Sequence, residues 1–380
     1  MSVIVHRHVR FWRGLRPLLG STLGVGFFGL PFACATVGWV MGIALLMTAV
    51  MVNIVLLFAY SQIALAQGPR SHGRYIHVVG EYFGGVGKLF IHIVFLALQA
   101  GTLLAYIIAG GTFLALLLQP LFGGGMVVYA AFFWGAASLS VLAGKRFVTS
   151  LQRYILPLFF VSLGVLAAIA FPAVRGEYLL HLSPQYIPGV AGVFLLACYS
   201  VTAIPEVRDA VQGQERLMDK AIVWGMITVF AVYLLFTAVV VGVTGRATSP
   251  ESLRGLMAYS PVLAYVAAAI GVVLVFNAFV NVGIAAKNTL VYDLRARYLS
   301  SWGLVCCVPG ALFLLGVRNF VGVLTFTGSV LASLCALFVL WAYERARTSH
   351  LLPKYILRLP QWAVFISGLA FFLVLSSLFI

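Results

Sequence analysis

Apolar residues form long runs from one end of the chain to the other, and short polar connections separate these runs. A helix that crosses the hydrocarbon core of a bilayer needs about 20 predominantly apolar residues. We predict eleven such helices, at about 15–36, 38–67, 86–118, 126–143, 149–172, 188–211, 218–243, 261–291, 301–317, 319–343 and 360–380. The pattern therefore predicts an all-α polytopic membrane protein in which residues 1–380 form a single transmembrane domain.

The composition supports this prediction. Hydrophobic residues make up 63% of the 380 residues and charged residues only 9%, whereas roughly a quarter of the residues of a soluble protein are charged. The sequence contains no phosphate-binding loop for ATP and no Cys or His cluster with metal-ligand spacing. We therefore expect neither a cofactor nor an enzymatic activity.

The net charge of +15 is distributed unevenly over the connections. With the N-terminus inside, the cytoplasmic connections carry 20 Lys and Arg residues, and the outside connections carry four. Cytoplasmic loops of membrane proteins are enriched in Lys and Arg. This asymmetry predicts a multi-pass protein of the cytoplasmic membrane, with a cytoplasmic N-terminus and an outside C-terminus. It also explains the basic charge through topology and lipid contact, without a nucleic-acid partner.

The first apolar run contains a stretch that does not suit a continuous helix. Residues 20–31 read GSTLGVGFFGLP, in which five of the twelve residues are Gly or Pro. These are the poorest helix formers, and backbone groups that are freed within a membrane must find other partners. The stretch fits a helix that is broken at mid-membrane to line a substrate site. It also fits a close-packing glycine face with a proline kink.

A second stretch of this kind lies half a chain later. Residues 195–206 read LLACYSVTAIPE, and Ile204-Pro205 follows Leu30-Pro31 by 174 residues. An offset of about 173–177 residues carries the first five predicted helices onto the next five. Because five is an odd number, the second set enters the membrane from the opposite side. We predict two inverted repeats, about 15–172 and 188–343, followed by an extra helix at about 360–380, an arrangement typical of secondary transporters.

Residues 20–31 resemble the G-[ST]-x-[IL]-G-x-G-x-x-[AG]-L-P signature of the amino acid/auxin permease family, which includes bacterial aromatic amino acid permeases. The Ile204-Pro205 break and the eleven helices are also similar to that family. The resemblance implies the LeuT-type fold of five plus five inverted helices. It further implies amino-acid uptake, more often driven by protons than by sodium. One departure is that residues 198–202 read CYSVT, whereas aromatic permeases often have a Phe- and His-rich break in the sixth helix.

A zwitterionic substrate at mid-membrane needs N–H donors for its carboxylate and carbonyl groups for its ammonium. A broken helix offers both at its two half-helix ends, and glycine there lets a ligand approach the backbone. In LeuT-type proteins the third helix passes the substrate, so that Tyr106 could cover it, although Tyr106 and Tyr199 also fit a packing role. The candidate substrate-binding residues are Ser21, Thr22, Gly24, Val25, Gly26, Phe27, Gly29, Tyr106, Tyr199, Ser200, Thr202 and Ala203.

A second group of residues consists of candidates for coupling or gating. A carboxylate at membrane depth is a functional candidate by default. Glu206 therefore fits the role of a proton carrier or gate. Alternatively, Glu206 lies beyond the hydrocarbon and pairs with Arg208 or Lys220. Two asparagines that share one helix face could hold a cation or water, and Lys287 could replace that cation or lie at the cytoplasmic rim. The candidates are Gln99, Glu206, Asn277, Asn281 and Lys287.

We interpret the chain as a secondary active transporter that imports amino acids by proton symport, with Na⁺ as the other candidate coupling ion. The aromatic residues Phe27, Phe28, Tyr106 and Tyr199 favour an aromatic or large neutral substrate. One alternative is a transporter of another small organic solute or ion on the same fold. The other is a receptor that binds an amino acid without transporting it. The lack of an added signalling domain in this sequence favours transport.

Overall fold

The computed structural model describes residues 2–67, 75–179, 182–211, 215–349, 351 and 359–377, and for residues 2–10, 145–153, 215 and 216 it describes only the backbone. Helices dominate this part of the chain. In order they are α1 (Ser2–Thr22), α2 (Val25–Val37), α3 (Trp39–Ala66), α4 (Tyr75–Gly80), α5 (Gly85–Phe122), α6 (Met126–Ala143), α7 (Lys145–Ala170), α8 (Ile187–Cys198), α9 (Ile204–Val211), α10 (Glu215–Thr244), α11 (Arg254–Met257), α12 (Pro261–Asp293), α13 (Tyr298–Leu314), α14 (Phe320–Phe326), α15 (Ser333–Thr348) and α16 (Gln361–Ser376). A π-helical segment, Thr327–Ala332, joins α14 to α15.

Within these described ranges, eight helical segments are long and apolar enough to cross a membrane. The bent pair of Phe11–Thr22 and Val25–Val37 raises the number to nine. Two shorter apolar helices, α13 with 17 residues and α16 with 16 residues, lie near the end of the chain. All of these helices fall on predicted apolar runs, and α6 has the predicted bounds. The fold is therefore all-helical, with eight or nine apolar spans by length and composition.

The first predicted break occurs between α1 and α2, whose axes differ in direction by 58°. Gly24 has φ −125° and ψ −149°, which lies outside the helical region. Its N–H donates to the carbonyl of Thr22 at 2.8 Å instead of continuing the helical pattern. Gly29 and Pro31 lie inside α2 and not in the break. The sequence therefore located the break correctly in the glycine-rich stretch, and the interrupted backbone itself is limited to Leu23 and Gly24.

The second interruption lies upstream of the proline that suggested it. Helical geometry ends at Cys198, Tyr199 has an extended backbone with ψ 112°, and a short 3₁₀ turn leads into α9. Pro205 is the second residue of α9. Proline is tolerated in the first turn of a helix because the N–H that it lacks has no helical acceptor there. The proline therefore marks the start of the following half-helix and not the break.

The two interrupted helices pack backbone to backbone. An ideal Cβ placed on Gly26 of α2 would lie 2.4 Å from the Cα of Ala197 in α8. On its other side, α8 contacts the π-helical segment: a Cβ on Gly328 would lie 1.9 Å from the carbonyl oxygen of Gly192. Small residues allow helices in membranes to approach this closely. These glycines allow α8 to pack closely against α2 on one side and against the π-helical segment on the other.

Candidate functional site

A chamber of about 40 Å³ lies between the two breaks. Residues from α1, α2, α5, α12 and the second interrupted helix surround it. They are Ser21, Thr22, Gly24, Val25, Gly26, Leu98, Gln99, Thr102, Tyr106, Leu196, Tyr199, Thr202 and Val282. The volume is sufficient for water but not for an aromatic side chain.

Tyr106 faces the first break at close range. Its phenol oxygen accepts a hydrogen bond from the backbone N–H of Val25, the first residue of α2. An ideal Cβ on Gly24 would lie 2.7 Å from the same oxygen. The N-terminus of a helix carries a partial positive charge and favours an oxygen ligand. Tyr106 thus occupies a position that suits a carboxylate oxygen, and only glycine at position 24 leaves room for it.

Two side chains that line the chamber carry buried polar atoms without a hydrogen-bond partner in the described part of the chain. These atoms are the Gln99 Nε2 and the Tyr199 hydroxyl oxygen. The Cys335 thiol lies beside Tyr199, but a thiol is only a weak hydrogen-bonding group. Most buried polar groups in proteins are satisfied. The chamber lining therefore includes two polar side chains: Gln99, whose Nε2 has no partner among the described residues, and Tyr199, whose hydroxyl has the Cys335 thiol as its neighbour.

A vestibule of about 890 Å³ adjoins the chamber. The two cavities share four lining residues, Ser21, Tyr106, Thr202 and Val282. From there the vestibule extends towards the first described side chains of α1. Its lining includes Arg13, Arg16, Ala203, Glu206, Asn277 and Asn281. The site is therefore accessible from the end of the bundle at which α1 begins.

Charges of both signs line this vestibule. Arg13 and Arg16 of α1 are exposed in it, and Glu206 is the one acidic residue among the described residues that line it. Glu206 is the third residue of α9, where the helix dipole favours a negative charge. Arg208 on the same helix donates to the carbonyl of Ala64 at 3.0 Å and so ties α9 to the end of α3. Asn277 contributes a further buried oxygen, Oδ1, without a partner among the described residues.

The opposite end of the site is closed by packed side chains. The Phe27 ring stacks on Phe236 with 3.9 Å between centroids and packs against Phe28, Phe159 and Tyr233. Next to this cluster, the Ser252 hydroxyl donates a hydrogen bond to the Phe28 carbonyl at 2.6 Å. The described residues therefore separate the chamber from this end of the bundle.

The loop that carries Ser252 also contains a buried acid. Glu251 is 8% exposed, and one of its carboxylate oxygens lies 3.1 Å from the Nε of Arg254. Burial raises the pKa of the Glu251 carboxyl, and a backbone hydrogen bond and Arg254 partly offset this shift. Glu251 therefore lies next to Ser252, whose hydroxyl bonds α2 at the closed end of the site.

The structure divides the predicted site residues into three groups. One group lines the chamber: Ser21, Thr22, Gly24, Val25, Gly26, Gln99, Tyr106, Tyr199 and Thr202. A second lines only the vestibule: Ala203, Glu206, Asn277 and Asn281. The third lines neither cavity: Phe27, Gly29, Ser200 and Lys287.

Phe27, Gly29 and Ser200 were expected to line the substrate site, and the structure places their side chains or backbone outside both cavities. Phe27 follows Gly26 on α2, so the helix rotates its side chain away from the chamber and into the aromatic cluster. Gly29 faces Leu324 instead. Ser200 is fully buried, and its hydroxyl is directed back to the Cys198 carbonyl at 3.4 Å.

Lys287 lines neither of the two cavities. It is 2% exposed and contacts the C-terminal end of α6 and the first residue of α13. Its ammonium donates to the Val141 carbonyl at 2.9 Å and to the Tyr298 hydroxyl at 2.7 Å, and Tyr298 donates to the Leu142 carbonyl. These carbonyls belong to the last turn of α6, where a helix favours a positive charge.

Tyr233 was not identified from the sequence. It lies within α10, and its hydroxyl is 2.6 Å from the Thr22 carbonyl oxygen and 2.8 Å from the Ala197 carbonyl oxygen. A tyrosine within an apolar run looks like an ordinary core aromatic, because its partners are backbone groups distant in sequence. Thr102 and Val282 also line the chamber and were not identified, because a threonine that bonds the carbonyl of Leu98 one turn earlier and a valine in an apolar helix look like ordinary core residues.

Three comparisons relate this geometry to known proteins. A family model described as the tryptophan/tyrosine permease family matches residues 8–357. A comparison with curated proteins gave no match.

Among solved structures, MhsT in complex with L-phenylalanine is similar with a TM-score of 0.74 and 15% identity, over 96% of this chain and 98% of that chain. Mhp1, a nucleobase-cation-symport-1 family transporter, has a TM-score of 0.68 and 12% identity, over 96% and 91% of the two chains. A manganese transporter of Eremococcus coleocola has a TM-score of 0.68 and 12% identity, over 99% and 86%. MhsT and Mhp1 are LeuT-fold transporters, so the chain has the LeuT fold.

Proposed function

The chain belongs to the tryptophan/tyrosine permease family, and we propose that it imports aromatic or large neutral amino acids across the cytoplasmic membrane by proton symport. As a family member with apolar helices throughout, it is a multi-pass membrane transporter and not an enzyme. The observation that carries the proposal is the chamber between the two helix breaks. It combines a helix N-terminus with the polar side chains of Gln99 and Tyr199, and the Gln99 Nε2 has no partner among the described residues.

The polar head of the substrate fits the chamber in this proposal. Its carboxylate replaces the Tyr106 oxygen at the N-terminus of α2, and its ammonium faces the carbonyl ends of the broken helices. The side chain is too large for the chamber and extends past Val282 into the vestibule, where Ile155 and Phe160 provide apolar surface. MhsT, which has a similar fold, is described in complex with L-phenylalanine.

The proposed topology has eleven spans. It counts the bent pair as one span and includes the shorter helices α13 and α16. The first ten spans form two inverted repeats of five, and the N-terminus is cytoplasmic because Lys and Arg are concentrated on that side. The vestibule then opens to the cytoplasm and the aromatic cluster closes the outer end. This arrangement corresponds to an inward-open state of an alternating-access transporter.

Proton coupling is assigned to Glu206 in this proposal. Of the described residues that line the chamber and the vestibule, Glu206 is the one with an acidic side chain. A carboxylate at this position can carry one proton along with the substrate and release it into the cytoplasm. Asn277 and Asn281 hold water or a cation on the facing side of the vestibule.

Uptake into proteoliposomes tests the proposal. Radiolabelled L-tryptophan, L-tyrosine and L-phenylalanine are offered under a proton gradient and, separately, under a sodium gradient. We expect saturable accumulation with the proton gradient alone. Accumulation only with sodium would contradict proton symport. Binding without flux would indicate a receptor, and no response to any amino acid would contradict the substrate class.

A further inference from the structure

One side chain connects the two interrupted helices. Tyr233 of α10 is fully buried, and its hydroxyl lies 2.6 Å from the Thr22 carbonyl oxygen and 2.8 Å from the Ala197 carbonyl oxygen. Thr22 is the last residue of α1, and Ala197 is the residue before the end of α8. The hydroxyl is therefore located where the carbonyl ends of two half-helices meet.

These carbonyls are available because the helices are broken. In a continuous helix the Thr22 carbonyl would accept from Gly26 and the Ala197 carbonyl from Val201, four residues further on. Both pairings are lost at the breaks, and only the Thr22 carbonyl gains a local replacement, from the Gly24 N–H at 2.8 Å. Carbonyl ends of helices carry partial negative charge, and half-helix ends of this kind bind cations in transporters.

We propose that the Tyr233 hydroxyl takes the position of a monovalent cation at the junction of the two half-helices and holds the substrate site in shape without sodium. Tyr233 is then a positioning residue, because it acts through the backbone of the breaks. The inference rests on the proposed function in one respect, namely that the site it shapes is the substrate site.

The surroundings of Tyr233 support a fixed position for its hydroxyl. Its ring packs against Phe27 with 5.7 Å between centroids, and Phe27 is in turn stacked on Phe236. A phenol has one proton for two acceptors, so it can bond both carbonyls only if they stay close to the same point. The aromatic cluster and the two helix ends therefore constrain each other.

The test compares Tyr233→Phe with Thr237→Val, one turn further along α10. Thr237 is also buried, and its hydroxyl has no partner among the described residues, so it is a matched control. Binding of L-tryptophan to purified protein is measured in choline chloride and in sodium chloride. We expect wild type and Thr237→Val to bind equally in both salts. Tyr233→Phe should bind about tenfold more weakly in choline, the effect of one buried hydrogen bond, and recover in sodium.

A second readout does not depend on the substrate. The thermal unfolding midpoint of Tyr233→Phe should rise when sodium replaces choline, whereas that of wild type and Thr237→Val should not. If wild type binds no aromatic amino acid, the proposed function fails, and the unfolding midpoints alone still decide the role of Tyr233.

A further variant separates loss of the bridge from a general folding defect. Tyr233→Lys places an ammonium of similar reach at the junction, and it should bind L-tryptophan equally in both salts. The inference would be overturned if Tyr233→Phe bound L-tryptophan like wild type in both salts. It would also be overturned if Tyr233→Phe lost binding and sodium changed neither its binding nor its unfolding midpoint.

Discussion

Gly26 of α2 and Ala197 of α8 are in direct backbone contact. A Cβ on Gly26 would lie 2.4 Å from the Ala197 Cα and 2.7 Å from the Ala197 Cβ. Because one neighbouring atom belongs to the backbone, rotation of a side chain cannot relieve the clash. The two interrupted helices can keep their present separation only with glycine at this position.

Gly26→Ala should therefore push α2 away from α8. We expect a loss of about 1–3 kcal/mol in stability from overpacking and a reduction of aromatic amino acid uptake by at least about tenfold. Gly20→Ala is the matched control, because it lies in the same glycine-rich stretch and a Cβ there meets nothing within 4 Å. Uptake by protein matched for expression checks the prediction. A Gly26→Ala protein that transports at the wild-type rate would contradict the close packing.

Glu206→Gln tests proton coupling. The amide keeps the size of the side chain but cannot carry the proton, so accumulation driven by a proton gradient should be lost. Exchange of labelled for unlabelled substrate at equal pH should persist, because it needs no net proton movement. Asp209→Asn on the same helix is the control, since Asp209 is exposed and does not line the vestibule. Undiminished accumulation by Glu206→Gln would exclude Glu206 as the proton carrier.

Lys287→Met should affect stability and not transport. The change leaves the Val141 carbonyl and the Tyr298 hydroxyl without their charged donor, which costs about 1–3 kcal/mol for a buried group. Lys220→Met, at an exposed lysine, should be neutral. Thermal unfolding and substrate affinity are measured together. A changed coupling ratio at unchanged stability would show instead that Lys287 participates in transport.

Glu251 should make stability depend on pH at the closed end of the site. Its carboxyl has a pKa raised above the ordinary value of 4.5, chiefly because it is buried. The protonated form is favoured in the folded state, so this stabilisation is fully present below the unfolded pKa and is lost as pH rises through the folded pKa. Relative to Glu251→Gln, the unfolding midpoint of wild type should fall as pH rises from about 4 to about 7. Glu177→Gln, at an exposed acid, should show no such difference.

Much of the helical framework was predictable, because apolar runs of membrane length have one favourable structure in a bilayer. The run at 126–143 became α6 with the same bounds, and the glycine-rich stretch became the first break. The second break lies at Tyr199 and Ser200, inside the predicted stretch 195–206, and Pro205 belongs to the half-helix that follows it. Proline alone does not distinguish these two positions.

The directions of side chains were less predictable. Phe27 and Gly26 are neighbours in sequence, but one enters the aromatic cluster and the other faces α8. Tyr233 and Lys287 bond backbone carbonyls that lie 36 or more residues away along the chain. Such partners leave no local pattern in the sequence, because any residue supplies a carbonyl group.

The 58° bend at Leu23 and Gly24 is a point about which α1 can rotate as a rigid segment. The segment Phe11–Thr22 is about 18 Å long at 1.5 Å per residue, so each 10° of rotation about the bend moves its far end by about 3 Å. The Thr22 carbonyl lies next to the bend and hardly moves in such a rotation, whereas Arg13 and Arg16 move with the far part of the segment. In the proposed transport cycle, a rotation of α1 about this bend would therefore widen the mouth of the vestibule much more than it displaces the residues of the chamber.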